Sequence, residues 1–226
     1  MVTRNKSFEN ENIQFFAALY DQTGIPKDLH HPALSELMIP FQFAGNGSLT
    51  ATLQEGDVLP GHPDFKVIET KGHAQTHLSF LRERDGLFIG GDHLIKHISP
   101  NPMIEAPIEE TKTRPKPMLD YRNSLKKCLD LGISNVFPGH GEMFSEVAEL
   151  INKRLINQEK RANKVYHLLQ EKASTPFELS MRLFPKHYEK QLNLTMSETI
   201  GQLDYLMDIG MVDYSVEKGI MIYDAK

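Results

Sequence analysis

The sequence has a single cysteine, no tryptophan and no long hydrophobic run. Because that cysteine is Cys128, no disulfide can form within the chain. The longest apolar run is residues 15–20, far shorter than the roughly 18 residues that a membrane-spanning helix needs. Residues 1–12 also lack the apolar stretch of a signal peptide. These absences predict a cytoplasmic protein that does not cross a membrane.

An excess of basic charge is absent as well. The formal net charge is -5 and the pI is near 6.1, so the whole chain lacks the positive potential that attracts nucleic acid or anionic lipid. At 226 residues with 40% hydrophobic residues, the chain is long enough for one large or two unequal globular domains. Histidine, in contrast, is abundant, with five of the ten clustered in one stretch of the chain: His62, His73, His77, His93 and His97.

The hydrophobic pattern predicts a layered α/β region in the first two thirds of the chain. An amphipathic helix is expected over residues 8–22, and residues 30–63 are interpreted as loop with short strands. Five prolines between 100 and 117 predict a long surface loop there. The remaining elements are strands at 65–69, 77–82 and 87–90, a helix at 118–129 and a strand at 133–137.

The last third predicts a smaller module. A helix capped by Ser145 should run to about Lys172, a short helix should follow Thr175, and the capping box from Thr195 to Glu198 should open another. Two apolar strands, 211–214 and 220–223, then flank a tight turn. Helix, helix and hairpin in this order are the outline of a winged-helix domain.

Three residues of the α/β region could carry chemistry, because each follows a predicted strand and is bracketed by glycine. They are His73, Asp92 and His140. Loops at strand ends collect ligands in α/β sheets, and glycine lets the backbone approach closely there. Two imidazoles and a carboxylate form a donor set for zinc or iron. A hydrogen-bonded loop histidine is the alternative interpretation of each one alone.

The segments around these residues resemble motifs of the metallo-β-lactamase superfamily. Residues 70–78, TKGHAQTHL, resemble its TPGHTPGH segment; residues 88–94, FIGGDHL, resemble its FxGD segment; and residues 137–141, FPGHG, resemble its PGHG segment. The order of these three segments and the spacing between them also agree with the family. The resemblance is closest to the glyoxalase II-like hydrolases with a C-terminal winged-helix domain, and it covers nearly the whole chain.

This resemblance implies a hydrolase with up to two zinc ions that share a bridging hydroxide. It implies His73 as a ligand of the first metal, Asp92 as the bridging carboxylate and His140 as a ligand of the second metal. Four further ligands of the family come from an HxHxDH segment, which this sequence does not contain. We therefore expect an incomplete set of donors, with that segment belonging upstream of the first helix.

The expected fold is thus α/β: an incomplete metallo-β-lactamase αββα sandwich, its C-terminal half, followed by a winged-helix-like α+β domain. The predicted boundaries are 1–145 for the partial hydrolase-like domain, 146–172 for a connecting helix and 173–226 for the winged-helix-like domain. An incomplete sandwich leaves a strand face or edge uncovered, so a homo-oligomer is a further expectation.

Other residues have subsidiary roles in this interpretation. His77 and His93 adjoin ligand positions and could hydrogen-bond the ligands or contact substrate, although a solvent-exposed imidazole is an equal alternative. Substitute ligands from Asp28, His30, His31 or His62 are considered by residue type only. Cys128 falls on the apolar face of its helix and is expected in the core.

Three functions remain open from the sequence. The first is a metal-dependent hydrolase of a thioester, lactone or phosphodiester, impaired in this form by the missing HxHxDH segment. The second is a non-catalytic remnant or binding module. The third, a winged-helix DNA reader, is disfavoured because residues 174–226 contain five basic and eight acidic residues.

Overall fold

The computed structural model describes residues 6–43, 47, 49–108 and 113–226. Its contacts group the chain into two compact units that are not contiguous in sequence. The sheet unit comprises 51–104 and 116–161, and the helical unit comprises the chain up to residue 50 together with 105–115 and 162–226.

The sheet unit contains a five-stranded sheet in the order β1-β2-β3-β4-β5. The strands β1 to β4 form an antiparallel meander, and β5 pairs in parallel with β4 after a crossover through helix α3. Their bounds are β1 Val58–Leu59, β2 His62–Glu69, β3 Leu78–Arg82, β4 Leu87–Gly91, α3 Pro117–Leu129 and β5 Asn135–Pro138. The predicted strand, helix and strand order is therefore present.

Helices α3 and α4 (Val147–Glu171) bury apolar side chains against one face of this sheet. Alternate residues of the strands point to this face, because side chains of a strand alternate between its two sides. The buried cluster contains Leu81, Phe88 and Val136 from the strands, Tyr121, Leu125 and Cys128 from α3, and Val147 and Ile151 from α4. Cys128 thus lies in the core, where the helical pattern of the sequence places it.

The opposite face of the sheet is less covered. Ile89 and Phe137 are paired across β4 and β5, and they keep 38% and 42% of their surface exposed. Val67, which is fully buried, and Phe80, which is half-buried, continue the same row across β2 and β3, so the exposed part of this face lies at β4 and β5. The row is apolar along its length, as expected for a sheet face that is not purely a solvent surface.

The proline-rich stretch differs from the predicted surface loop. Residues 100–106 alternate between buried and half-buried positions, with Pro100, Pro102, Ile104 and Ala106 buried. This is extended chain with one face covered; prolines exclude ladder hydrogen bonds but not burial of the ring. Residues 109–112 of the predicted loop lie outside the described residues.

In its described residues the helical unit contains four helices of its own, the last turns of α4 and a two-stranded hairpin. The hairpin turns at Lys218 and Gly219, which both have positive φ, as a two-residue type I′ turn requires. The elements are α1 Lys6–Thr23, α2 Lys27–Leu37, a 3₁₀ turn Ile39–Phe43, α5 Pro176–Leu183, α6 Leu192–Asp208, β6 Val212–Glu217 and β7 Ile220–Ala225.

Helix α2 is not anticipated by the sequence analysis, which assigned residues 30–63 to loop with short strands. The helix forms although Pro32 lies inside it, and it packs on α6. Asn193 of α6 donates to Ala33 O at 2.9 Å and accepts from the Tyr20 hydroxyl at 2.5 Å. The first two helices are therefore held by long-range side-chain bonds that no local pattern indicates.

The two predicted helix starts in the C-terminal part have different outcomes. Thr175 caps α5 through a full capping box with Glu178. The box predicted at Thr195 is wrong, because α6 already begins at Leu192 and the Thr195 hydroxyl donates to Leu192 O. Glu198 instead accepts a hydrogen bond from Gln202 one turn later.

The predicted domain boundaries and the two compact units divide the chain differently. The prediction assigns residues 1–50 to the hydrolase-like domain, whereas their contacts lie in the helical unit. Within helix α4, residues up to 161 belong to the sheet unit and the rest to the helical unit. No helix in the described part of the chain is sufficiently long and apolar to span a bilayer.

Candidate metal centre

Three loops leave the same edge of the five-stranded sheet. β2 and β4 both run antiparallel to β3, so they point in one direction, and β5 runs parallel to β4. The carboxyl ends of β2, β4 and β5 therefore meet at one edge, where open α/β sheets place their ligands. His73, Asp92 and His140 each lie within a few residues of one of these strand ends.

The three side chains converge on the carboxylate of Asp92. His73 Nε2 lies 3.5 Å from Asp92 Oδ2, and His140 Nε2 lies 3.6 Å from Asp92 Oδ1. Both separations exceed a hydrogen bond of normal length. Each imidazole thus faces a different oxygen of one carboxylate, and Asp92 lies between the two rings.

These distances suit a carboxylate that shares metal ions with its neighbours. Zinc ligands lie about 2.0–2.2 Å from a tetrahedral ion, so two donors of one ion are about 3.4 Å apart. Both nitrogen–oxygen separations are close to that spacing. Within the described residues, however, no group of three or more His, Cys, Asp or Glu side chains is arranged to hold one ion. The arrangement is two pairs of donors that share Asp92.

Glycines allow this approach. A Cβ added at Gly139 would lie 2.3 Å from Asp92 Oδ1, so only glycine leaves the carboxylate in its position. The Gly139 N–H also donates to Gly91 O at 2.7 Å and joins the loop of His140 to the loop of Asp92. Gly91 has a φ of 50°, the left-handed region where glycine is favoured.

His77 contacts the backbone of Asp92. Its Nε2 accepts from the Asp92 N–H at 3.2 Å, so its Nδ1 carries the proton and donates to Thr70 Oγ1 at 2.8 Å. The Thr70 hydroxyl continues to Ser79 Oγ at 2.7 Å. Burial, together with the His73 imidazole, lowers the pKa of His77, which agrees with a neutral ring whose tautomer is fixed. His77 is therefore not a solvent-exposed imidazole.

His93 follows Asp92 but its side chain is fully buried. Its ring packs edge-on against Tyr121 with centroids 5.2 Å apart. Burial, then the His77 ring and the Arg154 guanidinium, lowers the pKa of His93 to about 3. A neutral ring inside the core cannot contact a solvent-borne substrate.

The candidate substitute ligands are used elsewhere or lie apart. His30 packs on Tyr20 in the helical unit, and its Nε2 lies 2.9 Å from Ile25 O. Asp28 and His31 are exposed on α2. His62 begins β2 and is about 23 Å, seven residues of strand, from the end that carries the His73 turn. His97 is exposed.

Sequence reasoning identified the three converging residues but not what surrounds them. The sequence does not indicate three residues that form hydrogen bonds to His77 or His93, beside the site: Thr70, Arg154 and Tyr121. The second histidine of the GHxxxH pattern could have indicated a partner for Asp92. No sequence signal distinguishes Arg154 from the other basic residues of α4.

Comparison with known proteins gives one consistent result. The family model of the metallo-beta-lactamase superfamily matches residues 15–140. The probable metallo-hydrolase YqjP of Bacillus subtilis is 38% identical over 205 residues, which are 91% of this chain and 64% of that protein. The beta-lactamase-like protein 2 homolog of Caenorhabditis elegans is 29% identical over 107 residues, 47% of this chain and 32% of that protein.

Solved structures agree in fold. A metallo-beta-lactamase family protein from Thermus thermophilus has a TM-score of 0.72 at 25% identity, covering 92% of this chain and 62% of that one. A beta-lactamase domain protein from Burkholderia ambifaria has a TM-score of 0.76 at 21% identity, covering 92% and 60%. The chain thus spans about three fifths of the length of these relatives.

Proposed function

Because this chain belongs to the metallo-beta-lactamase superfamily, we propose that it is a metal-dependent hydrolase, or the part of one that holds half of its metal centre. The substrate class we propose is a thioester, a lactone or a phosphodiester. The metal we propose is zinc, with up to two ions when all donors are present. YqjP, a probable metallo-hydrolase by name, supports the same reaction type.

The observation that carries this proposal is the position of Asp92 between His73 Nε2 and His140 Nε2, at 3.5 and 3.6 Å on opposite oxygens. Asp92, His73 and His140 would hold the metal in the proposed centre, with Asp92 as the donor that the two histidines share. His73 departs from the usual ligand pattern in one respect. Its Nδ1 is buried without a hydrogen-bond partner among the described residues, whereas a ligating imidazole usually donates its other N–H.

Bound zinc would lower the pKa of a water ligand to about 7 and polarise the bond to be cleaved. The side chains of the protein then have positioning tasks. Asp92 directs each of its two oxygens at a different imidazole. Gly139 leaves free the space that one of those oxygens occupies. His77 fixes the Asp92 backbone by accepting its N–H.

Three donors are fewer than two catalytic zinc sites require, because each typically has three protein ligands and an open position. The HxHxDH segment that supplies further donors in the family is not in this sequence. We therefore propose that the 226-residue chain alone binds zinc weakly and hydrolyses its substrate slowly. Supplying an HxHxDH-containing segment should raise both the zinc affinity and the rate of hydrolysis.

A non-catalytic remnant or binding module is the second candidate. It is favoured by the absence, among the described residues, of any group of three donors around one ion. It predicts no hydrolysis even when the HxHxDH segment is supplied, which separates it from the first candidate.

Nucleic-acid binding through the C-terminal elements is not proposed. Thirteen of the seventeen residues of α6, the helix that would read DNA in a winged-helix domain, are buried. The helix also contains no Lys or Arg, and phosphate contacts require positive charge. The winged-helix-like nature of this part, the incomplete sandwich, a homo-oligomer and a cytoplasmic location remain predictions.

The test is zinc binding by equilibrium dialysis, with ligand variants compared at one pH. Wild type should bind zinc, and Asp92→Asn should weaken binding at least about tenfold because it removes the shared carboxylate. His73→Ala and His140→Ala should each weaken it as well. His31→Ala, on an exposed histidine of α2, is the matched control and should leave it unchanged.

Equal binding by wild type and Asp92→Asn would contradict the proposed centre. Hydrolysis is then measured on thioester, lactone and phosphodiester substrates, with and without the added segment. Hydrolysis that depends on both the segment and Asp92 is the expected result.

A further inference from the structure

Arg154 is a buried cation whose role the proposed centre does not explain. It lies on α4 in the sheet unit and is only 5% exposed. Its described hydrogen-bond acceptors are all neutral. They are His93 O at 3.2 Å, the Tyr121 hydroxyl at 2.9 Å, Ile98 O at 2.9 Å and Ile95 O. Burying a guanidinium without a carboxylate is unfavourable unless its N–H groups are well satisfied, so these four contacts require an explanation.

Three of the acceptors lie in one short segment, residues 93–98, which follows Asp92 directly. This segment has no helix or strand structure, so its carbonyls lack the regular partners of a ladder. The Arg154 guanidinium donates hydrogen bonds to three of these carbonyls. The planar fork of arginine donates in several fixed directions at once, which the single ammonium of lysine cannot do.

Tyr121 extends this arrangement to the other ligand loop. Its hydroxyl accepts from Arg154 and donates to His93 O at 3.2 Å. Its main chain and Cβ also lie against Gly72, where an added Cβ would be 2.4 Å from Tyr121 Cβ. Gly72 directly precedes His73. Tyr121 therefore touches the turn that carries His73 and the segment that directly follows Asp92.

We propose that Arg154, acting with Tyr121, is a positioning residue that fixes the 93–98 segment against the His73 turn and so sets the direction of the Asp92 carboxylate. The ordering of the segment follows from the contacts alone. The part that concerns Asp92 as a ligand rests on the proposed function. None of the described hydrogen bonds of Arg154 goes to His73, Asp92 or His140, and Arg154 has no expected role in the chemical step.

The first arm of the test uses the full chain without metal. Amide hydrogen exchange is followed for residues 93–98, and tryptic cleavage is followed after Lys96, which is exposed within the segment. Arg154→Ala should accelerate exchange there by at least about tenfold, since it removes several charge-assisted hydrogen bonds. Arg154→Lys should recover little of the protection, and Tyr121→Phe should have a smaller effect of the same kind.

Arg122→Ala is the matched control. Arg122 is another buried arginine of the sheet unit, but it donates to Gln158 and Glu159 of α4. Its loss should not accelerate exchange selectively in 93–98. Added methylguanidinium should restore protection to Arg154→Ala by filling the vacated site, and it should leave exchange in 93–98 of Arg122→Ala unchanged.

The second arm measures zinc affinity. Arg154→Ala should bind zinc at least about tenfold more weakly than wild type, with recovery by methylguanidinium. Unchanged exchange in 93–98, or equal acceleration throughout the sheet unit for both arginine variants, would overturn the inference. A wild-type chain that binds no zinc would contradict the proposed function, while the first arm would still decide the role of Arg154.

Discussion

Each unit of the molecule contains an arginine that is at least half-buried, and the hydrogen-bond partners of the two side chains differ in charge. In the helical unit Arg114 donates to Asp204 at 2.6 Å, and Asp204 is almost completely buried. In the sheet unit Arg154 is buried, and its hydrogen bonds within the described part of the chain go to neutral oxygens. Arg114 forms an ion pair that joins the 113–115 segment to α6. Arg154 instead donates to backbone carbonyls of the segment that follows Asp92. The comparison assigns the Arg114–Asp204 pair to the stability of the helical unit and Arg154 to the candidate site. Arg122 of the sheet unit, which pairs with Glu159, resembles Arg114 in this respect.

The largest effect is expected from breaking the neutralised pair. Arg114→Met leaves the Asp204 carboxylate buried without its partner, which costs about 3–5 kcal/mol in a fully buried pair. Because the Arg114 side chain keeps 22% exposure, we expect a loss of about 2–3 kcal/mol of unfolding free energy. Hydrogen exchange of α6 and the hairpin should report it, while the sheet unit keeps its protection.

The double variant Arg114→Met, Asp204→Leu sharpens this prediction. Replacing both partners by apolar groups removes the uncompensated charge, so most of the lost stability should return. A single variant as stable as wild type would show that the pair does not stabilise the helical unit.

The second effect belongs to the site and not to stability. Gly139→Ala would place a Cβ 2.3 Å from Asp92 Oδ1. Because that atom ends a short movable side chain, the carboxylate should turn away with a stability loss below about 1 kcal/mol. Zinc affinity should fall at least about tenfold because the shared donor has moved. Gly90→Ala, whose Cβ would meet Val136 and Phe88, is the converse variant and should lower stability through core crowding.

A smaller effect is expected at His77. His77→Phe keeps an aromatic ring at this position, although a larger one, and removes both the acceptor for the Asp92 N–H and the link to Thr70. Zinc affinity should fall by about tenfold, the range for residues that orient ligands. Isothermal titration at fixed pH measures this change, and affinity equal to wild type would show that the bond does not orient Asp92.

The smallest effect concerns Cys128, which has no proposed function. Burial raises the pKa of its thiol to about 12, above the value near 8.5 of a free cysteine. The folded state thus binds this proton more tightly, so its contribution to stability is complete below about pH 8.5 and is lost as the pH rises toward 12. A thiol reagent at about pH 8 should react slowly with the native chain and rapidly after unfolding. Rapid native labelling would contradict a buried thiol.

The sheet unit could be predicted well because its signals are local. Short apolar runs indicate β2, β3 and β4, and glycine-flanked His73, Asp92 and His140 follow strand ends that the topology brings to one edge. The directions of β2, β4 and β5 explain why these three residues lie together. The residues that support the site could not be found this way, since Arg154 and Tyr121 act through backbone carbonyls distant in sequence.

The helical unit was harder to predict because long-range contacts override local rules there. Pro32 argues against a helix, yet α2 forms and is bonded through Asn193, 160 positions away from Ala33. The threonine and glutamate spacing of a capping box occurs twice, at Thr175 and at Thr195, and only the first caps a helix. The sequence pattern does not distinguish these two positions, because α6 begins at Leu192, one turn before the capping box predicted at Thr195.

The most direct test of the proposed metal centre is the position of bound zinc, determined by anomalous diffraction from crystals of the zinc-soaked chain. We expect zinc within about 2.0–2.2 Å of an Asp92 carboxylate oxygen and of Nε2 of His73 or His140. Zinc bound only at other histidines, or no zinc at this edge of the sheet at saturating concentration, would contradict the assignment of Asp92 as the shared ligand.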